Sequence, residues 1–306
     1  MFDLAIIGGG PAGVAAGVYS ARKRLKTIFL TKDFGGQSAV SEDIQNWIGT
    51  SSISGQKLAA DLKAHLLAYA GEIVEVKEGE YVTQIEKIAG GFSVITHNAS
   101  YKTKTLLLVA GSHRRKLEVP GAAEFENKGI TYCASCDGPL FANMDVAVIG
   151  GGNAGFETVA QLAAYCKSVT LVHRSEEFRA DPVTIKKVLS NPKVHAITNA
   201  EILEVKGDKF VTGLVYRNKE GGEKKDLAVT GIFVEIGSVP TTDFAANLVK
   251  RTPYNQIIVD PKNQRTSCEG IWSAGDCTDG LYHQNNIAAG DGVKALEDIY
   301  LFLHAQ

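Results

Sequence analysis

Cysteine is scarce in this chain and odd in number, with five among 306 residues. So sparse a set excludes a secreted disulfide scaffold and predicts a reducing, cytoplasmic setting. Long apolar runs are missing as well, and nothing approaches the length of a membrane span. The start, Met1-Phe2-Asp3-Leu4, has no basic leader, so it reads as a strand entering a glycine turn and not as a signal peptide. Neither sign of charge dominates. Lys and Arg number 32 against 34 Asp and Glu, for a formal net charge of −2, which offers no basis for a nucleic-acid or other polyanion partner. The basic clusters Arg22-Lys23-Arg24 and His113-Arg114-Arg115-Lys116 are short and read as solvated faces and loop ends. What remains is an ordinary globular composition, 44% hydrophobic and 22% charged, on a length that allows two domains.

Two of the five cysteines, Cys133 and Cys136, stand at C-x-x-C spacing with Asp137 directly after them. In a reducing compartment such a pair is redox-active or half of a metal site. Zinc needs a second pair or nearby histidines, and Cys268 and Cys277 are poorly spaced for it, so the redox reading is preferred and no metal is expected. The pair lies in a glycine- and proline-flanked segment without the apolar periodicity of a core, which disfavours two merely structural cysteines. One sulfur must ionise readily to act as a nucleophile, and Asp137 is placed to return a proton as general acid. Cys166 and Cys277 read as buried thiols, Cys268 as an exposed one without a partner, and His195 and Trp272 as packing residues.

The apolar run Leu4-Ala5-Ile6-Ile7 leads into Gly8-Gly9-Gly10-Pro11-Ala12-Gly13, and Val146-Ala147-Val148-Ile149 leads into Gly150-Gly151-Gly152-Asn153-Ala154-Gly155. The two texts are nearly the same, an internal repeat of a G-x-G-x-x-G fingerprint. In that pattern one glycine permits the turn, the next lets a pyrophosphate approach the backbone, and the third lets helix pack on strand. The repeat predicts two Rossmann-like nucleotide-binding units in an α/β fold, each with a helix whose positive end faces phosphate. The expected helices cover Ala12 to about Arg24, Lys57 to about Gly71, a helix after the second glycine motif to about Tyr165, and about Asn286 to Phe302. Strands are expected at 27–30, 73–76, a hairpin around Gly90-Gly91, 106–109, 169–172, a strand-rich stretch up to 237, and 257–260. One element departs from the generic pattern. The acid that usually binds a ribose hydroxyl is not cleanly present, since Thr31-Lys32 stands at the strand end and Asp33 just beyond it.

These and further segments closely resemble the low-molecular-weight thioredoxin reductase family, together with the flavoprotein core of bacterial alkyl hydroperoxide reductase. The matching pieces are GGGPAG at 8–13, GGQ at 35–37, NWIG at 46–49, CASCDGPLF at 133–141, GGGNAG at 150–155, HRSEEFRAD at 173–181, GIFVEIGSVP at 231–240, SAGDC at 273–277 and YHQ at 282–284. They run in family order over essentially the whole chain. CDGPLF, FRAD and GIFVEIG look more like the peroxide-reductase core, whose N-terminal thioredoxin-like region is not expected here, because residue 1 already begins the first strand.

The resemblance implies a three-layer FAD-binding domain from 1–114 and 241–306, with an NAD(P)H-binding domain, 115–240, inserted and carrying the C-x-x-C. It implies FAD held by Gly8, Gly10, Pro11, Ala12, Gly13, Gly36, Gln37, Asn46, Asp276 and Gln284. It implies a nicotinamide nucleotide held by Gly150, Gly152, Asn153, Ala154, His173, Arg174 and Arg179. Cys136 would face the flavin and Cys133 attack the partner's disulfide, in a homodimer whose inserted domain rotates. NADPH is preferred because Arg174 and Arg179 suit a 2′-phosphate. NADH stays open, because Ser175 replaces a second arginine, Glu176 and Glu177 would repel phosphate, and Gly155 stands where NADPH-using relatives prefer alanine. Val109-Ala110-Gly111 and His283-Gln284-Asn285 depart from the family's A-T-G and R-Q-A. The expected activity is reduction of thioredoxin or a glutaredoxin-like protein. Other readings are an NADH-dependent reductase of a peroxiredoxin system, a ferredoxin-linked or dithiol-oxidising flavoprotein, and a non-catalytic redox sensor.

Overall fold

Successive residues of the first strand, Phe2–Gly9, enter two separate cores. Leu4 and Ile6 pack with one helical layer, and Ala5 and Ile7 with the layer on the opposite face. Leu106 and Leu108 of the strand Ser100–Leu108 part from Leu107 in the same way. A parallel strand covered on both faces must be apolar at every position, which is why these segments read as unbroken hydrophobic runs. The computed structural model describes residues 1–41 and 43–304. Its helices are α1 (Pro11–Arg22), α2 (Gly55–Ala70), the single turn α3 (Ala134–Asp137), α4 (Asn153–Leu162), α5 (Pro182–Leu189) and α6 (Asn285–His304).

The chain forms two compact units. One comprises Met1–Glu42, Trp47–His113 and Val239–Gln306, the other Asp43–Asn46 and Arg114–Ser238. In the first unit the sheet runs in the order 74–78, 27–34, 2–9, 100–108, 91–96, 82–88, with 271–273 added beside 100–108. The strands nearest the first glycine motif pair in parallel, and 82–88, 91–96 and 100–108 form an antiparallel meander. In the second unit 194–197, 168–172, 145–149, 231–234 and 130–131 make a five-stranded parallel sheet. Its meander, 200–207, 211–218 and 225–228, is a separate antiparallel sheet. Here too the strands divide between two cores: Val146 and Val148 pack with α4 and α5, Ala147 and Ile149 with the meander. The repeat therefore extends beyond the glycine text to the order of strands and the meander that follows.

Two expectations need correction. Residues 257–260 do not form a strand, because Ile257 makes only isolated bridges to Arg251 and Thr278 and Pro261 follows shortly after. The stretch after the second fingerprint is not strand alone, since 182–189 is helical. Asp181 caps α5 by accepting from Val183 N and Thr184 N, both at 3.0 Å, and Pro182 fills the first position, where no donor is needed. The Asp181 N–H in turn donates to Asn153 Oδ1 at 2.9 Å, fixing the start of α5 to the start of α4. Asp181→Ala should lower unfolding stability by about 0.5–2 kcal/mol, read from urea midpoints. An unchanged midpoint would show that the cap does not hold α5.

Candidate functional site

In the first unit a cavity of about 500 Å³ opens where the parallel strands end. It is lined by the turn Gly8–Ala12 and by residues following 27–34, 74–78, 100–108 and 271–273, the usual place for a ligand in an open α/β sheet. Gly8 has φ +128°, and a Cβ there would lie 2.2 Å from Val109 O, so only glycine makes this turn. Gly10 caps α1 without a side-chain hydrogen bond, leaving the positive end of the helix to a ligand phosphate. Gly13 does not line the cavity. A Cβ on it would stand 1.9 Å from Gly8 O, so its role is to let α1 lie on the strand. Gly36, Gln37 and Asp276 also line the cavity, and Gln37 Nε2 donates to Ser112 Oγ at 3.3 Å. Gln284 lies just before α6, outside the lining residues, and Asn46 belongs to the 43–46 segment grouped with the second unit. Volume, glycine approach and an uncapped helix start all fit the diphosphate of a dinucleotide such as FAD.

The second unit repeats this turn closely. Gly150 has φ +123°, and a Cβ on Gly155 would again lie 1.9 Å from the carbonyl of the turn glycine, Gly150 O. An alanine at 155 would push α4 off its strand, so the glycine that departs from NADPH-using relatives is built into the packing. Gly152 starts α4 without a side-chain cap, with Asn153 and Ala154 exposed at its first turn.

His173 is buried beneath this loop. Gly151 N–H donates to its Nδ1 at 3.1 Å, which assigns the proton to Nε2, and Nε2 donates to Glu177 O at the same distance. Burial first, then the charges of Arg174, Arg179 and Lys219, hold the imidazole pKa below its usual value, opposed by the Glu177 bond. His173 thus braces the loop with both ring nitrogens. Arg174 and Arg179 are exposed, and neither forms an ion pair among the described residues. Arg179 N donates to Gly151 O at 2.8 Å, tying that residue to the glycine loop. Lys219 was not singled out in the sequence. It arrives from the meander, through Lys219 N to Asn199 O at 2.7 Å and Asn199 N to Ser175 O at 3.1 Å.

Cys133 and Cys136 form a disulfide. The one turn of α3 makes this possible, because Cys136 N and Asp137 N both donate to Cys133 O, at 3.2 and 3.0 Å, and bring the Cα atoms to 5.3 Å. Both cysteines are half-buried, and Ser135 between them is exposed. The buried Thr131 hydroxyl hydrogen-bonds the Asp137 carboxylate. Burial pushes the Asp137 pKa up, a nearby Asp43 adds to this, and the Thr131 bond opposes it. The other thiols do not compete. Cys277 is fully buried and Cys166 is buried, which raises both pKa values, while Cys268 is half-buried. Among the described residues no cluster of His, Cys, Asp and Glu could hold a metal, and no helix is long and apolar enough to cross a membrane.

The family described as pyridine nucleotide-disulphide oxidoreductase matches residues 2–292. This chain belongs to that family. It is 42% identical to a subunit of the alkyl hydroperoxide reductase of Pseudomonas putida and 40% identical to NADH dehydrogenase of Bacillus subtilis, over 96% of its length in each case. It spans only 56% and 57% of those two proteins, a little over half of each. Among solved structures it is similar to thioredoxin reductase of Streptococcus pyogenes, with TM-score 0.92, 33% identity and coverage of 100% and 99% of the two chains. Thioredoxin reductase of Giardia duodenalis gives 0.93 and 30% at the same coverage. The fold is therefore that of two Rossmann-like FAD/NAD-binding domains, and the family implies FAD and a pyridine nucleotide as cofactors.

An aspartate with a raised native pKa binds its proton more tightly folded than unfolded. Asp137 therefore favours the folded state at low pH, and this contribution is lost as pH rises from about 3.8, the unfolded value, through the higher native one. In urea midpoints measured from pH 4 to 8, Asp137→Asn should gain stability relative to wild type across that window. Parallel profiles would show that the carboxyl titrates normally.

Proposed function

We propose that this chain is a disulfide reductase that carries electrons from NADPH through FAD and the Cys133–Cys136 disulfide to thioredoxin or a glutaredoxin-like protein, as a cytoplasmic homodimer. The supporting observation is the disulfide itself, held on one helical turn beside a half-buried carboxyl, in a chain with two glycine turns of the nucleotide-binding type. In this reading residues 1–114 and 241–306 bind FAD through the first turn with Gly36, Gln37, Asn46, Asp276 and Gln284. Residues 115–240 bind the nicotinamide nucleotide through the second turn with Arg174 and Arg179, His173 holding the loop.

Bound FAD supplies two-electron chemistry between nicotinamide and disulfide. Hydride from the nucleotide and one proton convert the disulfide to two thiols, and Asp137 is the group that delivers a proton to the departing sulfur. The Cys133 thiolate then attacks one sulfur of the partner's disulfide, forming a mixed disulfide and releasing the partner's first thiolate, which takes up a proton. Attack by Cys136 on Cys133 reforms the original bond and releases the partner's second thiol.

A second reading, an NADH-using reductase of a peroxiredoxin system, is favoured by the close approach at Gly155 and by the similarity to the alkyl hydroperoxide reductase and NADH dehydrogenase chains. Steady-state assays with thioredoxin-fold partners decide between them. NADPH should give the higher kcat/KM, and Arg174→Gln with Arg179→Gln should lower it about 10- to 100-fold while NADH changes little. A wild-type preference for NADH supports the second reading, and no nucleotide oxidation with any disulfide-bearing partner contradicts both.

A further inference from the structure

In a Rossmann fold the ribose of a dinucleotide is usually held by an acid at the end of the strand after the glycine motif. Here that strand end is Thr31-Lys32-Asp33, and the Thr31 hydroxyl is spent on Asp33 O. A different acid reaches the same cavity from the next strand over. Glu80 follows the strand Val74–Glu78, which pairs in parallel with Thr27–Phe34, and its N–H donates to Thr31 O at 3.1 Å. With Thr31, Lys32, Asp33, Tyr81 and Val82 it lines the cavity that begins at Gly8–Ala12.

Its Oε2 is buried and has no hydrogen-bond partner among the described residues, and Oε1 receives one long contact from Asn98 Nδ2 at 3.5 Å. A carboxylate oxygen withdrawn from water without a donor is costly, and a ligand hydroxyl arriving through the cavity removes that cost. We infer that Glu80 supplies the acid missing from the strand end, accepting hydrogen bonds from the ribose hydroxyls in the adenosine half of FAD. This rests on the reading of the first glycine turn as the FAD site.

The test uses purified protein stripped of flavin, with FAD, ADP and 2′,3′-dideoxy-ADP as probes in equilibrium binding. Glu80→Ala should weaken FAD and ADP about 10- to 100-fold, and Glu80→Gln, which keeps an acceptor, should weaken them less. Dideoxy-ADP should bind wild type and both variants alike. The flavin-free Glu80→Ala protein should unfold at the same temperature as flavin-free wild type or a higher one, because the orphaned oxygen is gone. A purely structural role for Glu80 would lower that temperature instead. Wild-type affinity for FAD in Glu80→Ala overturns the inference, and an equal loss for ADP and dideoxy-ADP overturns the assignment to ribose. If wild type binds neither FAD nor ADP, the reading of the first glycine turn as the FAD site fails, and this inference with it.

Discussion

The approach of a helix backbone to a strand backbone, made twice, is the constraint on which the rest of this molecule depends. At Gly13 over Gly8, and again at Gly155 over Gly150, a single Cβ would sit 1.9 Å from a carbonyl oxygen. That closeness lets each helix start at the mouth of its sheet with its donors uncapped. The strands beneath are buried on both faces, so their ends are rigid, and the functional side chains occupy the loops those ends deliver. The disulfide shares the second unit with the second glycine turn, on a separate one-turn helix.

Electrostatics divides labour between two titratable groups of the second unit. His173 is kept neutral by burial and by three cations, which suits a ring that must offer one acceptor to Gly151 and one donor to Glu177. Asp137 is shifted toward its neutral form by burial, which suits the proton-donor role proposed for it. Glu235, also buried, accepts from Thr158 at 2.8 Å and lies 3.9 Å from Arg114, with its pKa pushed up. The sequence offers no sign of this group, whose neighbours are far away along the chain.

Local pattern made much of this legible in the text. Glycine turns, apolar strands and C-x-x-C spacing are short-range signals, and the strands and helices around them lie close to where periodicity puts them. Helix α5 was legible in principle, because Asp181-Pro182 is a start signal, but its eight residues carry too short an apolar stripe to stand out among strands. The strand expected at 257–260 failed because apolar text alone does not supply a pairing partner. Glu80 and Lys219 were hidden for another reason. Both are charged residues in turns, ordinary in sequence, and they acquire meaning only when a meander or a parallel pairing brings them to a glycine loop.

Transfer of electrons from a nicotinamide nucleotide to Cys133–Cys136 within this chain is the step on which the proposed function turns. It is tested most directly by incubating the flavin-loaded protein anaerobically with NADPH or NADH, then alkylating the thiols and mapping them by mass spectrometry. Two new thiols should appear, at Cys133 and Cys136, with Cys166, Cys268 and Cys277 labelled as before. Oxidation of nucleotide and reduction of flavin with the Cys133–Cys136 bond still closed would contradict it.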